Sequence, residues 1–320
     1  MMEASSAADC AIRTEDDESG AGRASGAIPA LGGEEMSAAV RILQGKFGRV
    51  ALLDMDRPLV THGHSQCHVL IKVSGEDTFF SVRDRLYPLT DQTVVLVNSW
   101  EPHAYTHHNP DAPGTVILAL YIEPMWLGEI EKAFIASGSP GFFPQACVQI
   151  SKPVSALANR LAMRMLHGEE FGAHQVEMLL SNLMLAVIDT FSEWRSLDAP
   201  RKAALAHAPD ARIRRSLSYL RANVGVDLDI DKLAAEACLS RAHFFKLFQQ
   251  DTSLTPNLYV NVLRIEAAID GVTHTRDSLI SLSDSLGFSA QSHFTRFFQQ
   301  HLGALPSQYR KVVDLYDQPS

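Results

Sequence analysis

Between residues 37 and 125, short apolar runs alternate with turn residues: VALLDM, CHVLIKVSGEDTFFSV, TVVLVN and TVILALYIE. Short runs rich in β-branched and aromatic residues at this spacing predict the strands of a small sandwich or barrel. SGED, between two such runs, predicts a hairpin. Past residue 126 the period changes. Val176, Leu179, Leu180, Leu183, Met184, Val187, Ile188 and Phe191 recur at helical spacing as a broad apolar stripe, and an earlier helix over PVSALANRLAMRMLHG precedes them. Two such helices can pack on the strand domain, on each other or on a second copy of the chain. RSLDAPRKAALAHAPDA, residues 195–211, carries two prolines and few large apolar residues, and predicts a linker. From Arg212 the helical period returns, with Ile213, Leu217 and Leu220 on one face.

The last third of the chain repeats itself. HFFKLFQQ at 243–250 returns as HFTRFFQQ at 293–300, and Lys246 becomes Arg296, so the charge is kept. Each copy has one grammar: a short helix, a tight turn, a serine at the expected N-cap (Ser240, Ser289) and a second helix. His243, Phe244, Leu247 and Phe248, and likewise His293, Phe294, Phe297 and Phe298, are expected to bury. The opposite faces present Arg241, Ala242, Phe245 and Lys246 in the first copy and Gln291, Ser292, Thr295 and Arg296 in the second. A helix with a packed back and a polar front suits the major groove of DNA. Lys246 and Arg296 fit guanine edges or phosphates, Gln291 fits adenine, and Phe245 fits a thymine methyl or a neighbouring helix.

Residues 212–312 resemble the tandem helix-turn-helix domain of AraC/XylS-type bacterial transcription regulators. GFSAQSHFTRFFQQHLGALPSQYR carries the stronger signature, through Gly287, Phe288, Phe294, Phe298, Gly303, Pro306 and Tyr309. Arg264 and Ala268 match the linking helix, Arg264 in a structural role. Cys238 stands at a turn where the family often has glycine, Ser283 replaces a small alanine, and Phe245 fills a slot that is commonly polar. The resemblance implies a multidomain α and β chain: a cupin-like β-barrel at 37–125, a helical dimerisation segment at 126–194, a linker at 195–211 and an all-α DNA-binding domain at 212–312. It also implies a small-molecule effector, promoter DNA, RNA polymerase and a homodimer as partners, activation of transcription, a cytoplasmic setting and no enzymatic activity.

The strand region adds histidines. In THGHSQCHVLIKVSG an extended backbone turns His62, His64 and His68 one way and Cys67 the other. NSWEPHAYTHHN supplies His103, His107 and His108, the last two on an expected loop. His-x-His on a strand and a later histidine resemble the two metal motifs of the cupin fold. By that resemblance His62, His64 and His103 meet inside the barrel and suit Zn²⁺, Fe²⁺, Ni²⁺ or Mn²⁺. The usual carboxylate is replaced by Gln66 or His68, and the usual Pro-x-Gly turn by NSWEPH. Two uses remain open for these residues. His62, His64, His68, Trp100, His103 and Tyr105 line an organic-ligand pocket, with Tyr121 as a further wall, or the barrel is a cupin-type metalloprotein or metalloenzyme with an accessory helical part.

Charge sharpens this only slightly. The chain of 320 residues carries a net charge of −9, and residues 1–36 hold eight acids against two bases. That segment reads as a disordered, solvated tail with no signal-peptide core. Residues 205–320 hold 12 acids and 12 bases, so any DNA contact rests on which bases share a face. Cys10, Cys67, Cys147 and Cys238 lack paired spacing and read as reduced thiols. No apolar run approaches the roughly 18–20 residues that cross a bilayer.

Overall fold

The computed structural model describes residues 38–106, 113–194, 210–226 and 229–316. The expected tail, His107, His108 and nearly all of the linker lie outside them. The strand region forms two sheets. β1 (Ala38–Gly45) and β2 (Gly48–Met55) make a tight hairpin, and β2 pairs antiparallel along its whole length with β8 (Thr115–Ile122). β8 pairs with β3 (Cys67–Gly75), β3 with β6 (Thr93–Val97), and β6 with β9 (Cys147–Gln149). The smaller sheet is β5 (Arg85–Leu89), β4 (Thr78–Val82) and β7 (His103–Thr106), in the order β5-β4-β7. SGED is therefore not a hairpin. β3 and β4 belong to different sheets, and Gly75, at φ 87°, turns the chain from one to the other. A Cβ there would collide with the Gly114 carbonyl, so the crossing requires glycine.

The period of two divides the large sheet cleanly. Cys67, Val69, Ile71, Leu118, Leu120 and Ile122 join one apolar cluster, while Leu70, Ala119 and Tyr121 join another on the opposite face. The first face is covered by α1 (Pro124–Ile130), a short 3-10 helix (Lys132–Gly138), α2 (Lys152–Leu166) and α3 (Ala173–Phe191). Seven residues of the α3 stripe, Val176 to Ile188, are buried in this cluster within a single chain. Of the packings open to the stripe, the structure shows the one against the strand domain. Cys67 lies at the heart of the cluster, where burial pushes its thiol up to about 12. Iodoacetamide at pH 8 is expected to alkylate exposed Cys238 in the folded chain and leave Cys67 unmodified until denaturant is added, as peptide mass spectrometry would show.

The remaining helices are α4 (Ala211–Ala222), α5 (Ile230–Glu236), α6 (Arg241–Thr252), α7 (Pro256–His274), α8 (Leu279–Ser285), α9 (Gln291–Leu302) and α10 (Pro306–Val312). α5–α6 and α8–α9 each set a short helix against a longer one across a turn, and α7 joins the two pairs. Their turns both pass through the left-handed region, at Cys238 (φ 55°) and Gly287 (φ 75°). The second turn is one residue longer. Ser240 accordingly caps α6 by accepting from the His243 amide, whereas Ala290 stands at the N-cap of α9 and Ser289 bonds the His293 ring instead. That corrects the expected cap at Ser289. The left-handed turn sets up an asymmetric pair of substitutions. Cys238→Gly is expected to stabilise the fold by about 0.5–1 kcal/mol. Gly287→Ala is expected to destabilise it by roughly 2 kcal/mol or more, since its Cβ would also strike the Gly225 carbonyl. Urea melts of the two variants check both signs.

Helices and barrel are packed together. Ile265, Ala268, Phe294, Phe298, Leu302 and Tyr309 share one buried apolar cluster with Ile42, Ala51, Met55 and Tyr121 of the barrel. β10 (Val313–Leu315) runs parallel to β1 and extends the large sheet, with Asp314 accepting from Arg41 at 2.7 Å. The Val60 amide donates to the Gln300 carbonyl near the end of α9. Trp100, held at φ 61°, stacks on Tyr259 of α7 with ring centroids 5.3 Å apart.

Candidate functional site

Two surfaces carry chemistry. The first is the pair of polar helix fronts. In α6, Phe244 and Phe248 are fully buried while Arg241, Ala242 and Lys246 are exposed; in α9, Phe294 and Phe298 are fully buried while Gln291, Ser292 and Arg296 are exposed. Phe245 and Thr295 are half-buried at equivalent positions. His243 and His293 were expected to bury and are instead exposed, because the helix turns them one step beyond the packed stripe. Arg241 is engaged within the chain: it pairs with Asp231 and lies 4.9 Å over the Phe245 ring. Among the described residues neither Lys246 nor Arg296 has an ion-pair partner, so each unit offers one available cation at the same place. Arg264 has the structural role expected of it, reaching the Val224 carbonyl and the Phe288 ring.

The second surface is inside. A cavity of about 450 Å³ lies between the barrel and the helices, lined by Arg49, His62, His64 and Tyr121 on one side and by Ile265, Glu266 and His301 on the other. Trp100 and Tyr105 are not among its lining residues. Trp100 packs on Tyr259, and Tyr105 sits in the core beside Phe80 with its hydroxyl donating to the Met55 carbonyl. Arg49, Glu266 and His301 were not foreseen from the sequence. Arg49 lies 3.8 Å over the Tyr121 ring and donates to the Tyr309 hydroxyl. Burial raises the Glu266 carboxyl above its ordinary range. His301 carried one usable signal: it follows the repeated FQQ of the second copy, where the first has Asp251.

Behind the cavity the barrel histidines assemble. Strand β3 starts at Cys67, so His62 and His64 precede it, and His62 is held by a bridge to His103 on β7. His68 projects from β3 on the face opposite Cys67. Ring centroids lie 4.4 Å apart for His62–His103, 4.9 Å for both His64–His68 and His64–His103, and 5.2 Å for His68–His103. All four are almost wholly buried. Each Nδ1 lies 2.8–3.1 Å from a backbone carbonyl: Val60 for His62, Gln66 for His64, Leu120 for His68 and Glu101 for His103. A carbonyl only accepts, so each Nδ1 carries the proton and each Nε2 keeps its lone pair. Burial, reinforced by the neighbouring imidazoles, drives His62, His64 and His68 well below their ordinary value, and burial takes His103 down to about 4. The rings are therefore neutral near pH 7. Among the described residues the group whose ring nitrogens converge, all within 4.8 Å of one another, is His64, His68 and His103. The expected triad had His62 in place of His68. His62 stands beside this group, its ring 4.4 Å from that of His103 and 6.5 Å from that of His301, without joining the converging three.

The comparisons match both surfaces. Residues 57–185 match a family model described as an AraC-like ligand binding domain, and residues 233–312 match a helix-turn-helix domain. A Haemophilus influenzae helix-turn-helix-type transcriptional regulator is 28% identical over 144 residues, 45% of this chain and 48% of its own length. The transcriptional activator RhaR of Shigella dysenteriae is 22% identical over 258 residues, 78% of this chain and 86% of its own. The first relatives are matched over about half of their length or less. Among solved structures, an apo ToxT variant from Vibrio cholerae superposes with a TM-score of 0.49 at 10% identity, covering 86% of this chain and 96% of that one.

Proposed function

Since the chain belongs to the AraC-type transcription regulators, joining their ligand-binding domain to their helix-turn-helix domain, we propose that it binds promoter DNA through α6 and α9 and answers to a small molecule held between barrel and helices. One observation carries the DNA reading: two equivalent recognition helices with buried phenylalanine backs each present an exposed cation, Lys246 and Arg296, that has no ion-pair partner among the described residues. An α-helix fits the major groove, and two units joined by one helix suit grooves about 34 Å apart. Arg241, Ala242, Phe245, Gln291, Ser292 and Thr295 complete the contact surface, Arg241 once released from Asp231.

The cavity supports the effector reading. Its walls come from both parts of the chain, so a ligand touching Arg49 or His64 and also Glu266 or His301 has a different affinity for each relative placement of the two. Such a differential affinity is what shifts a population. Activation through RNA polymerase and action as a homodimer belong to the same proposal, with the dimer contact falling outside the buried α3 stripe. No described helix is long and apolar enough to cross a membrane, and a cytoplasmic setting is part of the proposal. A cupin-type metalloenzyme leaves the duplicated cationic fronts without a use.

Footprinting on the DNA upstream of the chain's own coding sequence tests this. Two protected stretches about one helical turn apart are expected on each half-site. Protection no stronger than on random DNA, with and without a panel of candidate effectors, would overturn it.

A further inference from the structure

Beyond the regulator reading, we propose that His64, His68 and His103 form a binding site for one divalent transition-metal ion, Zn²⁺ foremost. One ring comes from β3, one from β7 of the other sheet and one from the segment just before β3, with their Nδ1 atoms already committed to Leu120, Glu101 and Gln66 carbonyls and their Nε2 atoms left over. That outer bond fixes both tautomer and ring orientation, as backbone carbonyls and carboxylates do behind metal-bound histidines. The Nε2 atoms of His64 and His103 are buried with no hydrogen-bond partner, a condition that costs free energy unless something meets them. A lone pair on neutral imidazole can accept a proton from a donor or bind a metal ion. Among the described residues no donor bonds either atom; the rings around them are further imidazoles and Tyr121, whose centroid lies 4.1 Å from that of His68 and 4.9 Å from that of His64.

Fit can be judged from the spacing. Tetrahedral Zn²⁺ at its usual distance from nitrogen sets neighbouring nitrogens about 3.3 Å apart. The ring nitrogens lie within 4.8 Å of one another, so a modest inward rotation of the side chains is enough to bring them to that spacing. An all-imidazole set suits Zn²⁺, Ni²⁺, Cu²⁺ or Fe²⁺ and is poor for Mg²⁺ or Ca²⁺, which prefer oxygen. His64 also lines the cavity, which gives the ion a way in.

The experiment uses the full chain without a histidine tag, stripped with dipicolinate and then titrated with Zn²⁺ or Co²⁺. One ion per chain is expected by elemental analysis after gel filtration, with visible absorption from Co²⁺ in a nitrogen-rich tetrahedral site. His68→Gln and His103→Gln should each weaken binding at least tenfold, while His174→Gln, an exposed histidine on α3, should leave it within about twofold. Circular dichroism identifies any variant that fails to fold; if His103→Gln does, His68→Gln decides. Less than a tenth of an ion per folded wild-type chain overturns the site, as does stoichiometric binding that survives His68→Gln. Metal content is read without DNA, so its outcome and that of the operator experiment are independent.

Discussion

Arg296→Ala and Lys246→Ala are each expected to weaken operator binding about tenfold or more, and the double variant about a hundredfold. A well-placed cation on a base edge or phosphate is worth roughly 1–3 kcal/mol, and the two residues sit on separate helices, so their losses should add. Both side chains are exposed and without an ion-pair partner among the described residues, so neither truncation disturbs the Phe244–Phe248 or Phe294–Phe298 packing beneath. Fluorescence anisotropy at several salt concentrations separates the two possible roles. A phosphate contact lowers affinity on every sequence and reduces the salt slope by about one; a base contact loses discrimination at one position. Arg160→Ala, an exposed cation on α2, should stay within twofold. Unchanged affinity in the double variant would remove these helix fronts from the interface.

Trp100→Gly should have the second large effect, on the response to effector. Trp100 holds a left-handed backbone that glycine adopts freely, so the substitution relieves local strain. It also removes the stack on Tyr259, a contact worth about 0.5–1.5 kcal/mol beyond its area. A tryptophan kept at such a backbone position points to the contact as its use. The loss should therefore appear as looser coupling between barrel and α7. The ratio of operator affinities with and without effector is expected to move toward one by about fivefold to tenfold, while the DNA affinity of the effector-free chain changes less. Binding isotherms under both conditions read this directly. An unaltered ratio would show that the signal takes another path.

Local patterns exposed much of this molecule. The barrel strands, the α3 stripe and the duplicated helices α6 and α9 all follow from periods of 2 and 3.6, which depend only on near neighbours. The sidedness of His68 and Cys67 followed from the same rule. What escaped depends on distant partners. SGED has turn chemistry, yet turn chemistry does not say that β3 and β4 enter different sheets. The α3 stripe announced burial without naming the barrel as its cover. Selecting His68 over His62 for the converging triad required the positions of rings carried by different sheets. His301, some two hundred residues from His103 in sequence, meets its neighbours only through the docking of α9. β10 is three residues long, too short for any period to show.

That last strand bears on how far the two functional parts are separable units. Val313–Leu315 follows the C-terminal helices, yet its backbone is paired within the barrel's large sheet and Asp314 is tied to Arg41. Expressed without it, the barrel would present β1 as a bare edge, an invitation to self-association. A chimera grafting this sensor onto a foreign helix-turn-helix domain inherits the same defect unless the graft brings a compatible strand of its own. The practical unit of exchange is thus the whole circuit from β1 to β10, which starts in the sensor and closes there.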